Sequence, residues 1–315
     1  MTAQQIHTPQ RFFVIIPCHN CGPYIEECLD SLLNQTFTGW TALVADDAST
    51  DDTATRAKHY ELDPRIRVRT APERLWLMGN TLDALRGLDF WPNDVIAILD
   101  GDDFIRPTCL ERLWEAHCHG FDIVYTDEDI QGQEHSIGRT LLPGVPARDQ
   151  LWTFSQLRSF KAYLFTLLDD TSFRDASGLY YRAAGDLALY LPMAELAGPD
   201  KVCFVNERLY YYRVHESCNF KLLRAEQLRN NWRIRKQTSL RRQTRFFDCI
   251  EDVRDMDKAR LFETARLFRD KYPRPLSILL RHHIPASEKD FWLAYHHLWI
   301  EDGVYLTGIL DGDDQ

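Results

Sequence analysis

The chain has 315 residues, 44% hydrophobic and 27% charged, an ordinary globular composition that excludes intrinsic disorder and can bury one large core or two smaller ones. Its 37 Lys and Arg against 47 Asp and Glu leave a formal charge of −10, which argues against nucleic acid as a partner. No stretch approaches the roughly 18 consecutive apolar residues of a membrane span, and Met1 to Gln10 lack signal-peptide character, so a cytoplasmic protein with reduced thiols is expected.

In chain order, Phe12 to Ile16 reads as a buried strand closed by Pro17. A turn at Asn20 to Gly22 follows, and Ile25, Leu29, Leu32 and Leu33 repeat at helical spacing behind Pro23. Cys18 and Cys21 have C-x-x-C spacing, but no second pair matches it, so packing is the expected role. Trp40 to Ala45 is a second strand ending on Asp46-Asp47, and Ser49 to Asp52 supply capping residues for a short helix. Asp46 itself reads as a capping residue. Ile66 to Arg69 is a short strand, Thr81 to Leu88 a helix, and Val95 to Leu99 a third buried strand. Pro107 opens a helix with Leu110, Leu113, Trp114 and His117 on one face, and Asp122 to Thr126 returns as a strand. Strands alternating with helices at this pace predict an α/β fold with a mostly parallel central sheet, whose chemistry lies at the strand ends.

The third strand runs into Asp100-Gly101-Asp102-Asp103. Carboxylates this close repel one another unless protons or a hard cation relieve them, so a divalent metal is expected here. Residues 98 to 103 recur letter for letter as Ile309 to Asp314; there the expectation is a solvated acidic tail. Gln131 to Pro146 reads as a loop, Leu151 to Leu168 has helix-compatible spacing, and Gly185-Asp186 precedes an apolar run. Val202 to Val205 is a strand leading to Tyr212-Arg213-Val214-His215. From Lys221 to Arg245 nine basic residues face Glu226 alone, a pattern of either a solvated helix face or contact with anionic lipid or a phosphate-bearing acceptor. Helical spacing recurs over Phe246 to Phe268 and Phe291 to Ile300, so the expected division is 11–220 and a helical C-terminal region, 221–315.

Five blocks in order, Phe13 to Asn20, Val44 to Asp51, Leu99 to Asp103, Gly185-Asp186 and Tyr212 to His215, together resemble the family 2 glycosyltransferases, the inverting group with the GT-A fold. The resemblance covers roughly residues 11 to 220. It implies that Asp47 binds the nucleotide base, usually uracil, in a pocket lined by Pro17, His19 and Asn20. It implies that Asp100 and Asp102 contact the ribose and hold Mg²⁺ or Mn²⁺ on the donor diphosphate, that His215 assists the metal, and that Asp186 is the general base. The chain departs from the usual pattern in having His19 for Tyr and Gly79 where an Arg precedes Asn; Arg74 is the candidate substitute.

The implied activity is transfer of a hexosyl group from a nucleotide sugar, a UDP-sugar by preference, to a saccharide, lipid-linked or protein acceptor in surface-glycan synthesis, with peripheral contact at the inner membrane face through 221–245. A metal-dependent nucleotidyltransferase would want the same carboxylates but also a Gly-rich basic phosphate loop, which is missing near the first strand. A non-catalytic descendant that binds nucleotide or a partner is the third reading. The plainer roles beside these are a solvated loop for Asp100 and Asp102, a helix cap for Asp186 and simple packing for His215.

Overall fold

A computed structural model describes residues 11–142, 144–216, 218–240, 249–252, 276–284 and 304–310. The first half alternates as expected: β1 (Phe12–Cys18), α1 (Ile25–Leu33), β2 (Trp40–Asp46), α2 (Thr53–Lys58), β3 (Ile66–Thr70), α3 (Trp76–Arg86) and β4 (Val95–Ile98). The apolar spacing decides the buried faces. In α1, Ile25, Cys28, Leu29 and Leu32 are the residues turned inward. After β4 come β5 (Phe104–Ile105), α4 (Cys109–Cys118), β6 (Ile123–Ile130), β7 (Arg158–Lys161), the one-turn α5 (Tyr163–Thr166), α6 (Gly185–Ala197), β8 (Val202–Tyr212), the one-turn α7 (Asn219–Leu222) and α8 (Arg224–Lys236).

The eight strands form one sheet in the order β3-β2-β1-β4-β7-β6-β8-β5. β3, β2, β1 and β4 are parallel, and β7 enters antiparallel to both β4 and β6. Two apolar clusters cover its faces, one built around α1 and α4, the other around α3 and α6. α6 is buried on nearly all sides, Asp186 and Glu195 being its only partly exposed residues. α8 is fixed to it by a buried side chain: Arg148 pairs with Glu195 of α6 and donates to the Ile234 carbonyl of α8.

Two expectations are corrected. Residues 151–168 are not one helix; an irregular segment leads into β7 and then α5. Of the apolar residues that suggest helical spacing only Phe160 lies in the strand; Phe154 and Leu164 join the same cluster from the segments on either side, whereas Leu157 packs in the other. The C-terminal region is not wholly helical either. Cys249–Asp252, Leu276–Ile284 and Val304–Leu310 form a separate three-stranded parallel sheet, the first lying where a helix was expected. The chain divides into two compact units, His7–Arg242, and Gln243–Gln315 with Met1–Ile6, so α8 belongs to the first rather than to the C-terminal region. The acid run 311–314 and the expected helix at 291–300 lie outside the described residues. No helix among the described residues is long and apolar enough to cross a membrane.

His117 on α4 is fully buried, its Nδ1 2.9 Å from the Phe121 carbonyl and its Nε2 2.9 Å from the Ser159 hydroxyl. Burial, reinforced by Lys161, pushes its pKa down from 6.5 to about 3. Between those values the unfolded chain binds a proton the folded one refuses, so this group's stabilisation is full above the unfolded pKa and falls as pH drops, by up to about 1.4 kcal/mol per unit. Urea midpoints measured from pH 7 to pH 4 are therefore expected to fall more steeply in the parent than in His117→Gln; parallel slopes would contradict this.

Candidate active site

The pairing of β1 with β2 sets Cys18 beside Asp46, and that of β1 with β4 brings the loop after Ile98 to the same edge. The expected base pocket is a knot of loop contacts at this edge. His19 Nδ1 lies 2.8 Å from the Asp47 backbone carbonyl. Asn20, at φ 53°, accepts from the Thr50 backbone N–H at 2.8 Å while its own N–H donates to Ser49 Oγ at 2.9 Å. Asp47 is buried and accepts from the Leu75 N–H at 2.6 Å. Arg74 sits 4.0 Å from Asp47 and lies over the Trp76 ring at 3.8 Å. Asp46, read as a cap, accepts from the Ser49 N–H at 3.4 Å.

The acidic loop turns against the end of β1. The Gly101 N–H donates to the Pro17 carbonyl at 3.1 Å, and a Cβ at position 101 would stand 2.6 Å from Cys18 Cβ. Only glycine allows that approach. The three carboxylates then diverge. Asp100 accepts from Gln156 Nε2 at 2.9 Å, and burial together with the Asp102 charge pushes it up to about 7. Asp102 Oδ2 is 2.9 Å from His215 Nε2, whose ring stacks on Tyr24 at 5.0 Å. Asp103 is buried and structural, accepting from Tyr210 Oη at 2.6 Å and from the Arg213 N–H at 2.7 Å. Cys218 joins Asp102 and His215, the three offering ligand atoms within 4.8 Å of one another. The carboxylate and imidazole donors so gathered fit a divalent cation.

Asp186 opens α6 after Ala184, which holds φ 60°. Its Oδ1 accepts from the Leu187 N–H at 2.9 Å, and its Oδ2 lies 3.3 Å from Arg158 Nη1. A cavity of about 400 Å³ joins Asp186 to Asp100 and is lined also by Glu128, Trp152, Gln156 and Arg158. Asp102 and His215 adjoin it through Asp100, whereas Pro17, His19, Asn20, Asp47 and Arg74 cluster outside it.

Glu128, Gln156, Arg158 and Cys218 join the site without being expected from the sequence. Glu128 is buried, accepts from the Gln156 N–H at 2.9 Å and is pushed up by burial. Arg158 is buried beside Asp186, Glu128 and Asp100, its guanidinium 5.4 Å from the Trp152 ring and 5.6 Å from that of Tyr190. The available signal concerns Glu128 alone: the acidic run Asp127 to Asp129 follows the apolar stretch of β6, although the strand continues through it to Ile130.

A mixed sheet, parallel over β3, β2, β1 and β4, with carboxylates gathered where its strands end is the arrangement of the GT-A glycosyltransferases, and comparison with known proteins agrees. The glycosyl transferase family 2 profile matches residues 13–182, and the chain belongs to that family. Over 201 residues it is 38% identical to chondroitin synthase of Escherichia coli, covering 61% of this chain and 28% of that one. The fold is similar to that of S. aureus TarS in complex with UDP-GlcNAc, with a TM-score of 0.53 and 22% identity over 66% of this chain and 60% of that one. It is similar also to the mannosyltransferase PcManGT from Pyrobaculum calidifontis in complex with GDP-Man and Mn²⁺, with a TM-score of 0.50 and 19% identity over 74% and 66% of the two chains. The chain spans about a quarter of the length of the synthase it matches.

Gly101→Ala tests the close approach that aims the acidic loop. Its Cβ would have to displace Cys18 or the Pro17 carbonyl, at a cost of about 1–3 kcal/mol. A lower denaturant midpoint with unchanged m-value is expected, and an unchanged midpoint would contradict the packing argument.

Proposed function

We propose that this enzyme transfers a sugar from a UDP-sugar to the hydroxyl of a saccharide acceptor, free or carried on lipid or protein, with inversion at the anomeric carbon, in the synthesis of a surface polysaccharide or glycoconjugate. The observation that carries the reading is that Asp100 and Asp186 open into one cavity, each already partnered by a side chain that fixes its direction. The likeness to TarS, solved in complex with UDP-GlcNAc, supports the same class of donor.

Asp47 accepts the imide N–H of uracil, with Pro17, His19, Asn20 and Arg74 lining the nucleotide end. Asp100 and Asp102, with His215 and Cys218 beside them, would hold Mn²⁺ or Mg²⁺. When bound, the cation offsets the negative charge that grows on the departing diphosphate. At the other wall Asp186 receives the proton of the acceptor hydroxyl as that oxygen bonds to the anomeric carbon. The carbon–oxygen bond to the diphosphate breaks, and its electron pair leaves with the nucleotide. Arg158 keeps the Asp186 carboxylate directed into the cavity; Glu128 and Gln156 complete the polar wall. The aromatic faces of Trp152 and Tyr212 give the acceptor ring an apolar surface.

Purified protein given UDP-, GDP- and dTDP-sugars with Mn²⁺ is expected to release nucleoside diphosphate from a UDP-sugar, slowly without acceptor. Asp186→Asn lowers turnover by about 10²- to 10⁴-fold while leaving donor binding intact. No turnover and no calorimetric binding of any nucleotide sugar would refute the reading; full activity of the Asp186 variant would remove Asp186 as base.

A further inference from the structure

The side of α8 away from the cavity has no use in the reaction described. On the inner side, Asn230 and Ile234 are buried, and Asn230 donates to the Ala183 carbonyl at 3.0 Å. Gln227 and Asn231 line the cavity, and the helix's one carboxylate, Glu226, pairs with Arg182 at 2.7 Å. The outer side is different in kind. Leu228 and Trp232, one turn apart, are 63% and 64% exposed, and Leu222 in α7 is 65% exposed. Arg224, Arg229, Arg233 and Lys236 flank that apolar stripe, all exposed. Among the described residues none of these four has a carboxylate within 4.0 Å. Asp175 lies near Arg233 without forming an ion pair. Exposed Leu and Trp flanked by an excess of cations are the makings of a helix that lies in a bilayer interface.

We propose that this face of α8 docks the enzyme on an anionic lipid bilayer, Leu228 and Trp232 entering the headgroup boundary and the flanking cations meeting lipid phosphates. Charge complementarity selects the occupant and the orientation together. The chain as a whole carries −10 and is repelled by an anionic surface, whereas α8 holds five basic residues against one acid already paired. A soluble acidic polymer would satisfy the cations but leave Leu222 and Leu228 in water, so the lipid surface fits better. Because the inner side of the same helix lines the cavity, docking brings the acceptor end to the membrane. Granted the glycosyl transfer proposed above, the acceptor is then a lipid-linked saccharide.

The full chain would be mixed with vesicles of phosphatidylcholine alone or with added phosphatidylglycerol and separated by flotation. The protein is expected to float only with the anionic vesicles. Leu228→Ala with Trp232→Ala, and separately Arg229→Glu with Arg233→Glu, are expected to reduce the bound fraction by at least about tenfold. UDP-sugar hydrolysis measured without vesicles should stay unchanged in both double variants, which separates loss of docking from loss of the catalytic reading. Absence of flotation, undiminished flotation of either variant, or retention on an acidic polysaccharide in place of vesicles would overturn the proposal.

Discussion

The structure turns on the electrostatics of one sheet edge, where Asp100, Asp102, Asp103, Glu128 and Asp186 converge. Ionised together and unpartnered they would repel one another by several kcal/mol in so confined a space. The fold disperses the charge instead of excluding it. Asp103 is tied off by Tyr210 and the Arg213 backbone, Asp102 by His215, Asp100 by the Gln156 amide and Asp186 by the Arg158 guanidinium. Arg158 is the one buried cation of this set, and the antiparallel strand that carries it is inserted between β4 and β6. The departure from a purely parallel sheet is thus the device that puts a positive charge among the acids.

The backbone is held as tightly as the charges. Four non-glycine residues have left-handed φ: Asn20 at 53°, Ala48 at 52°, Trp76 at 61° and Ala184 at 60°. Each lies within two residues of a site residue: His19, Asp47, Arg74 and Asp186 respectively. Such conformations cost of order 1 kcal/mol each and persist where surrounding contacts over-determine them. Here those contacts are visible, as in the Asn20 side chain bonded to the Thr50 backbone and the Leu75 N–H bonded to Asp47. On the function proposed above, the nucleotide end would be held in place by these contacts before a ligand arrives, which lowers the ordering cost of binding.

Much of this was legible in the sequence for a physical reason. Buried parallel strands are continuous apolar runs, and the functional loops follow them directly, so Phe12 to Ile16, Trp40 to Ala45 and Val95 to Leu99 marked both the sheet and the places where Asp47, Asp100 and Asp102 stand. What was hidden depends on long-range packing. Arg158 and Gln156 lie in a segment whose apolar spacing fits a helix, and only its insertion between two strands decides otherwise. Cys218 gains meaning from its distance to Asp102, which no local pattern encodes. In the C-terminal region short apolar runs fit helix and strand equally, and three of them are strands.

The function proposed here requires the carboxylates at this edge to serve a nucleotide diphosphate through a cation. Its most direct test is a calorimetric titration of the protein with UDP in the presence of Mn²⁺ and in the presence of chelator, beside Asp102→Asn. Mn²⁺ is expected to strengthen UDP binding by about an order of magnitude or more in the parent and much less in the variant, since a charge-assisted contact contributes about 1.5–3 kcal/mol. Equal UDP affinity with Mn²⁺ and with chelator would contradict it.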